Sequence, residues 1–291
     1  MPASPEPGAP PSASTTAYAT GVAITVLAIL SQYFVPDAIP ATRVVYGNLV
    51  GDLLVAYGIP VAAFSILVGA GPLRRWRSRM RLATWQGLRW YGLLSVLGLF
   101  VTLVLAVIFL AVDPSALQAL KSTPPPLVAA AGDPWFFVGL SFAIGAIEET
   151  IFRGWIFGFW RGRPGSWLVP ATWTSVLFAG LHLYYGSTYG IASILVFPSL
   201  FLVGFAFAAT YRLSGGNLLV PAVLHGAFDA SAFLTIISVE WGALFRYLPV
   251  LVGVLIGIFC LSNPGPDPPE DLDWPGPVAL AADTRPSDSD S

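Results

Sequence analysis

Apolar residues gather along this chain into eight stretches, near residues 17–35, 46–70, 88–112, 135–160, 167–185, 191–212, 217–239 and 242–262, with short polar segments between them. Each is close to the about 20 residues that a helix needs to cross the hydrocarbon core of a bilayer. The pattern predicts an all-α, polytopic transmembrane helical bundle of about eight spans. Pro60 and Pro198 interrupt the second and sixth stretches, which neighbouring helices accommodate inside a membrane.

The ends have a different texture. Residues 1–16 are rich in Pro, Ala and Ser, and residues 263–291 in Pro and Asp. Both read as disordered tails, the second acidic, because neither has the apolar content to offset the cost of ordering. No Lys or Arg precedes the first apolar stretch. A cleaved secretory signal needs such a basic region, so that stretch is expected to stay as a span. The chain then divides into accessory helices with a basic loop over 17–131, a polar-centred core over 132–235, and a last helix over 236–262.

Composition agrees with the pattern. Of the 291 residues, 55% are hydrophobic and 10% charged, against about 25% charged in soluble domains. The net charge of −2 comes without a long basic run, so no nucleic-acid partner is expected; the lipid bilayer is the expected surrounding. The single cysteine, Cys260, lies in an apolar stretch. It leaves no internal disulfide to form and reads as a packing residue.

Orientation follows from the basic residues in the short loops. With the amino terminus inside, Arg74, Arg75, Arg77, Arg79, Arg81, Arg89, Arg161, Arg163 and Arg212 are cytoplasmic, nine against Arg43 and Lys121 on the other side. Both termini are expected in the cytoplasm, in the plasma membrane of a prokaryote.

Against this apolar background six ionisable residues fall within three predicted spans: Glu148, Glu149 and Arg153 in the fourth, His182 in the fifth, His225 and Asp229 in the seventh. His182 and His225 are the two histidines of the chain. A charged side chain at the bilayer centre costs about 2.5–3.5 kcal/mol on insertion scales, so such residues are functional candidates by default. Glu149 and Arg153 stand four apart, on one helix face, and can pair. Glu148 points about 100° away around the axis. His225 and Asp229 are again four apart and can share one cavity. Taken singly, Glu149–Arg153 reads as a structural ion pair, His225–Asp229 as a tether and His182 as a satisfied core histidine. Taken together at one depth, the six point to a site. Small residues at Gly145, Gly154, Gly158, Ala179 and Gly180 would let the helices approach closely.

Two chemistries fit these residue types. A Glu and a His can polarise a water between them, the Glu taking its proton, while a second His and its neighbour stabilise an oxyanion. Alternatively Glu148, His182 and His225 form a His₂Glu set for a divalent metal such as zinc. No cofactor is required by the first chemistry, and the second stays open. Neither GxSxG nor HExxH is present, which removes the ordinary serine-hydrolase and zinc-helix routes.

At these residues the sequence resembles the CAAX protease and bacteriocin-processing (CPBP) membrane proteins, which include the type II CAAX prenyl endopeptidases. Their signature of EExxxR, FxxxH and HxxxN or HxxxD is matched in order by "EETIFR" at 148–153, "FAGLH" at 178–182 and "HGAFD" at 225–229. The resemblance covers about residues 132–235. It implies that Glu148 and His182 activate the attacking water, that His225 and Asp229 stabilise the oxyanion, and that Glu149 and Arg153 position the site or substrate. Prenyl-processing members carry Asn where this chain has Asp229, which weakens transfer of the prenylated substrate. The expected function is an intramembrane endopeptidase acting on a peptide or membrane-protein segment. A non-catalytic adaptor of the bacteriocin-immunity type and an ion or proton transporter are the rivals. No internal repeat of the kind transporters show is visible. Oligomeric state is not legible.

Overall fold

The computed structural model describes residues 14–39, 49–77, 83–112, 133–160, 167–182 and 196–262. Both proposed tails, apart from the join to the first helix, lie outside these residues, as do Arg43, Arg79, Arg81, Lys121, Arg161 and Arg163. Among the described residues the chain is helical, with eight helices at the eight apolar stretches. They are α1 (Thr15–Ala38), α2 (residues 49–67), α3 (Thr84–Val112), α4 (residues 134–160), α5 (Leu168–Leu181), α6 (Val196–Leu213), α7 (Leu219–Ile237) and α8 (Val239–Ser262). The protein is an integral membrane protein. Among the described residues five helices are long and apolar enough to span a bilayer, and three further apolar helices (Thr15–Ser31, Leu168–Leu181 and Leu219–Thr235) are shorter.

Local sequence explains several boundaries. Ser14 caps α1 by accepting from the Ala17 N–H at 3.1 Å. Asp133 does the same for α4 by accepting from Trp135 N–H, with Pro134 following at the position where its missing N–H costs nothing. Between α6 and α7 the chain turns through Gly215 and Gly216, with φ of 76° and 81°. Those backbone angles suit glycine and few other residues. Asn217 then accepts from the Leu219 N–H at 2.8 Å to start α7.

Two helices contain wide π turns. In α2 the π turn is Leu54–Gly58, just ahead of Pro60. A proline ring clashes with the carbonyl four residues earlier in regular α-helix, and the wider turn is where that clash is relieved. In α4 the π turn is Thr150–Ile156, followed by a 3₁₀ turn at Phe157–Trp160. Such turns often occur at functional sites, and this one carries the arginine of the EExxxR motif.

The α4 and α7 helices run along each other, and α3 packs on both α6 and α8; α5 lies on α6 and α1 on α2. At the α4–α7 crossing, a Cβ on Gly145 would come 2.8 Å from Gly226 N, and a Cβ on Gly226 would come 2.5 Å from Phe142 Cδ1. No side chain fits between the helices there. Gly154 likewise lies against Pro72, and Ala179 is buried, whereas Gly180 faces open space. Large apolar side chains on the outer faces are exposed, including Leu103 and Val107 of α3 and Leu255 and Phe259 of α8. A surface of that kind is suited to hydrocarbon rather than water.

α5 is 14 residues long, roughly 21 Å at 1.5 Å per residue. The hydrocarbon core is about 30 Å thick. A helix of this length that starts at one face therefore ends inside the membrane, and His182 is its carboxyl-terminal cap.

Candidate active site

Arg153 and Glu149 are fully enclosed, with none of their surface exposed. Arg153 Nη1 donates to Glu149 Oε1 at 2.8 Å and its Nη2 donates to the Gly204 carbonyl of α6 at 2.6 Å. The guanidinium carbon lies 5.0 Å from the Phe178 ring centroid and 5.3 Å from that of Phe207. Those rings face the cation with their electron-rich surfaces. A Cβ on Gly204 would lie 3.3 Å from Nη2 and 3.1 Å from Phe178, so glycine there keeps the carbonyl within reach.

The same Glu149 oxygen lies 2.9 Å from Nδ1 of His225. A carboxylate oxygen accepts and does not donate, so Nδ1 carries the proton. The imidazole is clamped on its faces as well, stacked on Phe207 at 4.9 Å and edge-on to Phe178 at 5.5 Å. Its other nitrogen, Nε2, faces two carboxylates: Glu148 Oε2 at 3.6 Å and Asp229 Oδ2 at 3.5 Å.

Glu148 is buried and differs from its neighbour in what holds it. Its Oε1 accepts a hydrogen bond from the Tyr57 hydroxyl at 2.7 Å. Its Oε2 has no hydrogen-bond partner among the described residues. Asp229 is more open than Glu148, Glu149, Arg153 and His225, with a third of its side chain exposed. His182 is bound through Nδ1 to the Phe178 carbonyl at 2.7 Å, and its ring packs 4.7 Å from that of Phe178. Phe178 is thus the shared wall between His182, His225 and Arg153.

Glu148, Glu149, Arg153, His225 and Asp229 are therefore linked by short contacts, and His182 joins them through the Phe178 ring. The three candidate metal ligands Glu148, His182 and His225 do not form a metal-holding group: among the described residues no cluster of three or more His, Cys, Asp or Glu side chains does.

Two polar residues at this site lie outside the sequence-based set. Tyr57 looks like a packing residue in an apolar span, and its partner is 91 residues away. Arg246 in α8 donates from Nε to Ser231 Oγ at 2.9 Å and lies 4.6 Å from the Phe228 ring. As an intramembrane charge it met the same criterion that singled out the other six.

Residues 130–231 match the family model described as type II CAAX prenyl endopeptidase Rce1-like. The match bears out the resemblance read from the three motifs and encloses all of them. It covers 102 of the 291 residues, so α1, α2, α3 and α8 lie beyond it. No curated protein and no solved structure matches the chain.

Proposed function

We propose that the protein is a membrane-embedded endopeptidase of the CAAX-protease-like type, in which Glu148 is the general base. The observation that carries this reading is the asymmetry of the Glu148 carboxylate. One oxygen is held by Tyr57 and the other is directed at His225 Nε2 without a partner of its own. A carboxylate fixed at one oxygen and available at the other is what a positioned base requires.

In this reading a water at Glu148 Oε2, oriented with the help of His182, loses its proton to Glu148 as its oxygen attacks the carbonyl carbon of the scissile peptide. The carbonyl oxygen becomes an oxyanion. His225 stabilises it through Nε2, which donates only as the imidazolium because Nδ1–H is given to Glu149. The proton on Glu148 then passes to the departing amide nitrogen, the C–N bond breaks, and a carboxylic acid and an amine leave. Glu149 and Arg153 hold the His225 ring in place. Asp229, a third of whose side chain is open, can meet an entering substrate, prenylated or not.

The test is cleavage of a panel of peptides, prenylated and unprenylated, by the purified protein in detergent, with and without a chelator. Cleavage that Glu148→Gln abolishes supports the reading. Failure of the wild-type protein to cleave any member, while it remains folded, would favour an adaptor that keeps the fold without the chemistry.

A further inference from the structure

The matched core does not complete the candidate site by itself. Tyr57, on the accessory helix α2, places its hydroxyl 2.7 Å from Glu148 Oε1. That helix is fixed against α4 by Phe64, which is fully buried and stacks on Trp155 with centroids 5.4 Å apart. On its other side Phe64 meets α1, where a Cβ on Gly21 would come 2.6 Å from its ring. Tyr57 itself sits in the π turn ahead of Pro60, so the widened turn sets its direction toward α4.

We propose that Tyr57 is a positioning residue for Glu148: its hydroxyl holds Oε1 and so presents Oε2 to the reacting water. This rests on the reading of Glu148 as the base. The need for such a residue follows from the geometry of the site. Glu149 is fixed by Arg153 and His225 through hydrogen bonds of 2.8 and 2.9 Å, whereas Glu148 approaches His225 Nε2 only to 3.6 Å and takes its one short hydrogen bond from Tyr57. Rotation about its last torsion is broad for a carboxylate, and a single strong donor on one oxygen stops it.

The experiment uses the full-length protein and Tyr57→Phe, which removes one oxygen and leaves the ring. Turnover should fall about 10–100-fold, the range that small misplacement of a catalytic group costs, with KM and the thermal midpoint close to wild type. A purely structural tyrosine would lower the midpoint and leave kcat per folded molecule unchanged, and that result overturns the proposal. A second measurement does not depend on cleavage. The infrared carboxylate band that Glu148→Gln removes identifies Glu148, and Tyr57→Phe should shift that band. If the wild type proves inactive, the peptidase reading fails while a shifted band still supports the Tyr57–Glu148 contact. An unshifted band overturns the positioning role whatever the activity.

Discussion

Glu149 and His225 meet at 2.9 Å across the α4–α7 interface, through the very oxygen that Arg153 also occupies. One carboxylate oxygen thus orients the imidazole and neutralises the guanidinium. The adjacent glutamate, one residue earlier, touches neither the guanidinium nor Nδ1: its Oε2 lies 3.6 Å from the opposite nitrogen of the ring, and its Oε1 takes the Tyr57 hydroxyl. The two acids of the EE pair are thereby set to different tasks, and their variants should fail in different ways.

Glu148→Gln keeps volume and can still accept from Tyr57, but it cannot take a proton. General-base catalysis is worth typically 10²–10⁴-fold, so cleavage should fall by about that factor while the thermal midpoint in detergent stays near that of the wild type. Undiminished cleavage by this variant would remove Glu148 from the mechanism.

Glu149→Gln leaves Arg153 charged, buried and without its counter-ion. Breaking a buried pair from one side costs about 3–5 kcal/mol, so the midpoint should drop steeply and activity with it. Replacing both partners, as Glu149→Gln with Arg153→Met, removes the stranded charge. The double variant should be more stable than Glu149→Gln alone yet remain inactive, because His225 loses its carboxylate. Differential scanning and cleavage assays of the wild type, Glu149→Gln and the double variant read this directly.

Asp229→Asn separates two roles. Since Glu149 already orients His225 through Nδ1, Asp229 is not needed for that purpose. An amide in its place can donate toward an oxyanion, which a carboxylate cannot. Activity should be retained or raised. A fall of 100-fold or more would make the negative charge of Asp229 essential and reassign it.

Gly226→Ala tests the crossing that brings the site together. The added methyl meets Phe142 atoms at 2.5–2.8 Å, and overpacking costs about 1–3 kcal/mol. The variant should be less stable, and its remaining folded fraction less active, because the clash lies one residue from His225. Wild-type turnover would mean that α7 can shift without disturbing the site.

The excess of basic residues in the loops on one side predicts a cytoplasmic carboxyl terminus. A reporter that works only outside the cytoplasm, fused at the carboxyl terminus, should be silent, and one that works only inside should be active.

Much of this arrangement is legible in the chain. All eight helices among the described residues lie at the apolar stretches, because a helix embedded in lipid is apolar on every side and so leaves a long continuous signal. The Glu149–Arg153 contact is legible because both residues are on one helix. The His225–Glu149 contact is not. Spacing displays His225 and Asp229 as a pair four apart, whereas the shorter contact of the ring is with another helix, and only packing reveals it. Tyr57 is hidden for the same reason, compounded by its residue type: a tyrosine in an apolar span carries no mark of its hydroxyl's partner. Of the two π turns, the one in α2 has a sequence cue in Pro60; the one in α4 has none that we recognise.

The placement of Glu149 and Arg153 on one helix also bears on how the protein is built. As the chain is inserted, α4 enters the bilayer before α6 and α7 have been made. A guanidinium whose counter-ion came from α7 would wait in the hydrocarbon, at a cost of several kcal/mol, until that helix arrived. Here Arg153 meets its carboxylate as soon as α4 coils. The helix can enter the membrane already neutralised at that position, and the Gly204 carbonyl and His225 then dock onto a pair that is already formed.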